Sequence, residues 1–276
     1  MKQLSQKNIK AFQKIILEYY CTQGRTHLPW RKKTRTPYHV LVSEIMLQQT
    51  QVERVIPFFN TWMKEFPTFT ALAQARQVDV LRLWKGLGYN SRALRLHRLA
   101  QIVTEEYKGR LPRERSQLEA LPGIGPYTAG AVRVFAFGVL DIFIETNIRR
   151  IFIHHFFKNT KEVSDNDILE LVEQTLPADE VSRWYSALMD YGSTLPKVLK
   201  KNPNTQSKHY TKQSKFEGSD RQIRGKILEI LLKKDVTSEK ELFGILGNEK
   251  NRYKEILQDM ERGEFILIKK RIIFLK

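Results

Sequence analysis

The sequence predicts an all-α protein: a two-lobed helical core followed by a small module of three helices and a β-hairpin. Three observations carry this. Apolar residues recur at helical spacing through residues 1–195, and no run there alternates as a half-buried strand does. Connections between the helical runs are short. After Leu195 the texture turns polar and basic before helical spacing resumes near Asp220. The expected division is a core of 1–195, a basic linker of 196–219 and a winged-helix-like module of 220–276. Within the core, one lobe is 30–137 and the other is 1–29 plus 138–195.

Taken in order, residues 8–23 place Ile9, Phe12, Ile15, Ile16, Tyr19 and Tyr20 on a helical stripe. Leu28-Pro29-Trp30-Arg31 breaks that helix, and a basic loop from Lys32 to Pro37 leads into a second helix, Tyr38 to Leu47. Helices follow over 50–65, 69–74, 77–86, 90–108 and 115–120, separated by Pro67, Gly86-Leu87-Gly88 and Gly109. Leu121-Pro122-Gly123-Ile124-Gly125 is a tight hairpin that opens into the small-residue helix around Thr128-Ala129-Gly130-Ala131. Residues 197–226 carry nine lysines and arginines against Glu217 and Asp220, which suits a solvated linker or an arm on a polyanion. Ile223, Ile227, Ile230 and Leu231 then return to core spacing, and helices Ser238 to Leu246 and Asn251 to Arg262 follow. Two β-rich runs around the basic turn Lys269-Lys270-Arg271 close the chain. Three helices and then a hairpin is the winged-helix order.

The 276 residues hold 47 lysines and arginines against 30 acids, a net charge of +17. Such an imbalance points to a polyanion, either nucleic acid or an anionic membrane. No apolar run is long enough to span a bilayer and no signal peptide opens the chain, so nucleic acid is the reading, without a membrane partner. The expected location is cytoplasmic and nucleoid-associated. One cysteine, Cys21, cannot form an intrachain disulfide or supply a four-cysteine metal or iron–sulfur site.

Two carboxylates stand in apolar frames. Glu44 is surrounded by Val42, Ile45, Met46 and Leu47, which would raise its pKa if it is buried. Glu145 lies in Ile144-Glu145-Thr146-Asn147-Ile148, about twenty residues past a hairpin whose glycines and helix N-terminus suit a phosphate. Cleavage of a glycosidic bond uses such a pair, one protonated for the leaving group and one ionised for the cationic sugar. Read alone, each glutamate is equally a satisfied helix residue and the hairpin equally a plain turn.

Together these stretches resemble the helix-hairpin-helix superfamily of DNA glycosylases (HhH-GPD, endonuclease III), and within it the adenine glycosylases of the MutY type. The matching strings are Ser43 to Thr50 followed by Pro57, Leu28 to Arg31, and Leu121 to Gly130, and the resemblance covers residues 8–195. It implies a monofunctional, monomeric enzyme of base excision repair acting on double-stranded DNA. The enzyme would flip and hydrolyse a mispaired base, adenine opposite guanine or 8-oxoguanine. Glu44 would protonate the adenine, Glu145 would stabilise the sugar cation and help water attack, and Asn147 and Tyr127 would position them. Leu28, Trp30 and Arg31 would line the base pocket. Gln49 would plug the emptied duplex between Gln48 and Thr50, Tyr89 would stack beside the opposite base, and Gly123, Gly125 and Thr128 would contact the backbone. Tyr127 stands where strand-cleaving members carry a Schiff-base lysine, implying base removal without lyase activity.

Two departures stand against that pattern. The family's aspartate is replaced by Glu145, and one methylene displaces a carboxylate by about an ångström, which can cost on the order of 100-fold in rate. The iron–sulfur cysteines expected after Met189-Asp190-Tyr191-Gly192 are missing, as is the usual domain that reads 8-oxoguanine. No cofactor and no side-chain metal site are therefore expected; the hairpin main chain admits a monovalent cation by resemblance alone. The alternatives are a thymine or uracil mismatch glycosylase and a DNA-binding protein that has lost catalysis. The opposite base and the role of the C-terminal module are not fixed by the sequence.

Overall fold

The computed structural model describes residues 3–158, 160–212, 215–246 and 250–276, so 213 and 214 of the expected linker lie outside the described residues. The chain folds as α1 (Gln6–Gln23), α2 (Pro37–Leu47), α3 (Val52–Glu65), α4 (Phe69–Ala73), α5 (Gln77–Trp84), α6 (Ser91–Glu106), α7 (Arg115–Glu119), α8 (Pro126–Phe137), α9 (Thr146–Phe156), α10 (Asp165–Thr175) and α11 (Val181–Val198). Local chemistry sets many of the ends. Ser5 caps α1, Ser164 and Asp167 form a capping box on α10, and Gly138 closes α8 in the left-handed conformation.

Two compact units result, and their boundaries differ from the expected lobes. The first is Met1–Glu44, Pro112–Ala120 and Ile124–Lys212; the second is Ile45–Leu111, Leu121–Gly123 and Gln213–Lys276. Residues 30–44, 112–120 and 124–137 therefore belong with the N-terminal helix and not with the lobe assigned from sequence. The reason is packing: Ala131 and Val134 of α8 share one core with Phe12, Ile148, Phe152 and Trp184. Each large side chain buried there contributes about 1.5–3 kcal/mol. Phe12 meets Phe152 and Trp184 edge-on at 5.4 and 5.9 Å.

Glycine lets helices close in twice in this unit. A Cβ on Gly130 would sit 2.9 Å from the Cβ of Phe143. One on Gly192 of α11 would sit 2.3 Å from the carbonyl oxygen of Asn147. The first of these explains why α8 is built of small residues, and the second lets α11 press against the start of α9.

The first half of the expected linker is not a linker either. Pro203–Gln206 forms a short 3-10 helix, Asn204 and Ser207 are buried, and Ser207 bridges to Val163 in parallel. A polar, basic composition predicted a solvated segment. Here asparagine and glutamine side chains satisfy backbone groups of α9, which composition does not reveal.

In the second unit α3 to α6 enclose a core with Trp62 and Trp84 edge-on at 5.4 Å. The C-terminal module adds α12 (Asp220–Lys234), β1 (Val236–Ser238), α13 (Glu239–Leu246), α14 (Lys250–Arg262), β2 (Ile266–Lys269) and β3 (Ile272–Leu275). Its sheet is antiparallel in the order β1-β3-β2, with Val236 opposite Phe274 and Ile268 opposite Ile273. Lys270 and Arg271 both take positive φ, 48° and 64°, the backbone of a tight hairpin turn that follows strand twist. The winged-helix order is complete, with β1 an addition to the sequence reading. Among the described residues no helix is long and apolar enough to cross a membrane.

Because a methyl at Gly192 must displace backbone, Gly192→Ala should destabilise the protein by about 1–3 kcal/mol. A thermal melt of the variant beside the parent checks this; an unchanged melting temperature contradicts the close approach of α11 to α9.

Candidate active site

Four of the expected site residues come together in the first unit. Glu44 faces inward from α2 with 7% of its surface exposed, flanked by fully buried Val42 and Met46. The Tyr127 hydroxyl, one residue into α8, donates to Glu44 Oε2 at 2.5 Å. Glu145 precedes α9 as its N-cap. Its Oε1 accepts the backbone N–H groups of Asn147 and Ile148 at 2.7 and 2.8 Å, and its Oε2 accepts from Asn147 Nδ2 at 3.1 Å. Glutamate is not a usual cap, yet here its carboxylate reaches the first N–H groups of α9.

The electrostatics separate the two carboxylates. Burial pushes Glu44 up to about 7; the Tyr127 hydrogen bond opposes this, the Glu145 charge adds to it, and the Arg31 charge opposes it. Burial also raises Glu145, against the two backbone N–H groups and the charges of Arg150 and Arg149. Tyr127 is held well above the usual phenol range by burial and then by both carboxylates, so it stays a donor. A half-protonated acid at neutral pH thus sits in the same unit as a carboxylate supplied with amide donors.

The base-pocket candidates are placed differently from the expectation. Leu28, 1% exposed, and Trp30 are core residues of the first unit and offer no open face in this conformation. Arg31 commits its fork to Asp190, Nη1 to Oδ2 at 2.7 Å and Nη2 to Oδ1 at 2.9 Å. Arg25 adds its backbone N–H and Nε to the same carboxylate, both at 2.8 Å. Asp190 is 1% exposed. Burial alone would raise its pKa, but the Arg31 hydrogen bonds and the charges of Arg31 and Arg25 more than offset this and hold it low. The loop before α2 is thereby tied to α11, and Arg31 reaches Glu44 through its field.

The DNA-contact candidates divide between the units. In the second, Gln49 is exposed with φ 55° on the turn after α2, while Gln48 and Thr50 are half-buried. One side chain that the sequence reading missed organises this turn. Arg92 donates Nη1 to the carbonyls of Ile45, Met46 and Gln48 at 2.9, 2.9 and 2.6 Å. Its Nη2 reaches Thr50 Oγ1, Leu87 O and Gly88 O at 3.2, 3.3 and 2.9 Å. One guanidinium therefore fixes both the Gln49 turn and the Tyr89 turn. Burial lowers it to about 10, with the Tyr89 phenol opposing, so it keeps its charge. Tyr89, φ 47°, accepts a hydrogen bond on its hydroxyl from Arg221 of α12 at 2.7 Å.

At the hairpin, Gly123 has φ 84° and a Cβ there would meet Arg95 at 3.2 Å, so glycine is required. Gly125 caps α8 in extended backbone with nothing within 4 Å of an added Cβ, which leaves that helix end open. Thr128, expected to contact DNA, is 2% exposed and turned inward on α8.

Residues 42–175 match the HhH-GPD superfamily of base excision DNA repair proteins. Over 233 residues the chain is 36% identical to an adenine DNA glycosylase of Mycolicibacterium smegmatis, covering 78% of each. The chain belongs to the HhH-GPD superfamily. It is a DNA N-glycosylase of base excision repair. An adenine DNA glycosylase of Buchnera aphidicola is likewise 36% identical over 194 residues, although the chain spans 54% of that protein. Among solved structures, a thermostable thymine-DNA glycosylase matches with a TM-score of 0.61 and 30% identity, over 68% of this chain and 87% of that one. HhH-GPD relatives that carry an iron–sulfur cluster hold it with four cysteines. The lone Cys21, on α1, does not fit that group, and no step is routed through one.

The Tyr127 phenol stabilises the ionised form of Glu44, so Tyr127→Phe should raise the Glu44 pKa further. If Glu44 acts as an acid, the alkaline limb of single-turnover excision should move to higher pH in the variant. A limb that stays in place or moves down contradicts the hydrogen bond's assigned effect.

Proposed function

We propose that the protein removes adenine mispaired with guanine or 8-oxoguanine from duplex DNA, as a monomer, without cutting the strand. The observation that carries this reading is Glu44: a buried carboxyl near neutral pKa, hydrogen-bonded to a phenol. Such a group gives up a proton at physiological pH to a ring nitrogen, and adenine offers N7. Protonation at N7 makes adenine a neutral leaving group. The C1′–N9 bond then breaks with its electron pair going to the base, and positive charge develops on the sugar.

Glu145 meets that charge. Its carboxylate is oriented by two backbone amides and Asn147, so it costs little reorganisation as the cation forms. Water adds to C1′ and gives its proton to a carboxylate, leaving an abasic site and free adenine. Asn147 and Tyr127 are positioning residues here. Tyr127 has no amine, so a Schiff base cannot form at that position and the sugar–phosphate chain stays intact. The protein works without an iron–sulfur cluster in this reading. A cation on the hairpin main chain enters no step.

The likeness to a thymine-DNA glycosylase favours a second reading, excision of thymine opposite guanine. Glu44 speaks against it, because thymine has no N7 to accept the proton.

End-labelled duplexes, each with one defined mispair, decide between them. Incubation followed by hot alkali should cleave at adenine opposite guanine or 8-oxoguanine, and the same samples without alkali should stay whole. Cleavage at thymine or uracil opposite guanine supports the second reading, and nicking without alkali contradicts the monofunctional assignment.

A further inference from the structure

The stretch after α11 runs the length of α9. At the helix start, Asn204 Nδ2 donates to the Thr146 carbonyl at 3.0 Å, with Asn204 buried. At the helix end, Gln206 Nε2 donates to the carbonyls of Phe157 and Thr160 at 3.2 and 2.8 Å. Beyond it, the backbone of Gln206 and Lys208 pairs with Val163 at 2.8 and 3.0 Å. Between these anchors Asn202 Oδ1 accepts from the Asn204 N–H at 3.2 Å and from Arg150 Nε at 3.2 Å. Arg150 in turn donates Nη1 to Asn147 Oδ1 at 2.7 Å. Asn147 then gives both its backbone N–H and its Nδ2 to Glu145.

We propose that residues 202–206 are a strap that orients the Glu145 carboxylate through Arg150 and Asn147. The logic is one of donors and acceptors. A guanidinium has only N–H groups, so Arg150 fixes the Asn147 amide with its oxygen toward the arginine. The Nδ2 group is then left facing Glu145 Oε2. Arg150 is itself aimed by Asn202, which the short 3-10 helix holds in place. Without that acceptor the guanidinium swings, the amide is free to flip, and the carboxylate loses a fixed donor. Asn202 and Arg150 are positioning residues and touch no substrate.

This rests on the role proposed above for Glu145, and the test separates the two. Single-turnover excision and duplex affinity are measured on the preferred mispair for the full-length parent, Asn202→Ala, Asn202→Asp, Arg150→Lys and Glu145→Gln. Asn202→Ala should slow excision by about ten- to a hundredfold, the scale of a catalytic group held slightly out of place, with affinity unchanged. Asn202→Asp keeps an acceptor for Arg150 and for the Asn204 N–H and should restore the rate. Arg150→Lys keeps the charge but cannot bridge two asparagines, and should be slow. Thermal melts accompany the assay; if Asn202→Ala is unfolded at the assay temperature, Arg150→Lys decides alone. Parental rates in Asn202→Ala or Arg150→Lys, with Glu145→Gln inactive, overturn the strap. So does an Asn202→Asp variant as slow as Asn202→Ala. Parental excision by Glu145→Gln overturns instead the role given to Glu145.

Discussion

The hydrogen bond from Tyr127 to Glu44 answers the hardest physical problem in the first unit, which is to hold a buried carboxyl beside a phenol and within the field of a second carboxylate. An isolated buried carboxylate is expensive, and two within range of each other are worse. The fold treats them differently. Glu44 receives one donor and a distant arginine, and its pKa rises to about 7. Glu145 receives the end of α9, an asparagine amide and the charges of Arg150 and Arg149. The same side chain is thus supplied differently at two places, by a phenol at Glu44 and by backbone amides at Glu145.

Keeping those three helices in register falls to residues that carry no chemistry. Asp190, almost wholly buried, draws in Arg25 and Arg31 and so ties the loop before α2 to α11. Removing either arginine would leave the buried Asp190 charge with the other alone, and removing both would leave it unpaired, the costly case for a buried ion. Gly192, two residues on, lets the same helix reach the backbone of Asn147.

Much of this was legible in the sequence, and the misses share a cause. The helices up to residue 120 follow from apolar spacing, and the raised pKa of Glu44 follows from Val42, Ile45 and Met46, all buried. Asn147 and Arg150 are three apart on one helix, so their meeting is within reach of pattern reasoning. Asn202 is 52 residues from Arg150, and nothing local marks the pair. Arg92 looks like an ordinary surface cation on an amphipathic helix until the carbonyls of a distant turn and of the turn just before it converge on it. The strand β1 is three residues between helices, too short for alternation to show. The lobe boundary failed likewise, because a hairpin joins two units in sequence while its helix α8 packs with only one of them. Pattern reports what a segment prefers; it does not report which distant carbonyl or carboxylate completes it.

The central claim is that Glu44 delivers a proton to N7 of adenine. The direct test compares adenine with 7-deazaadenine opposite guanine in otherwise identical duplexes, under single-turnover conditions with binding measured in parallel. The deaza base keeps its shape and pairing edge but carries a C–H where N7 was. The account predicts that both duplexes bind alike and that only adenine is excised. Excision of 7-deazaadenine at a rate close to that of adenine would contradict it.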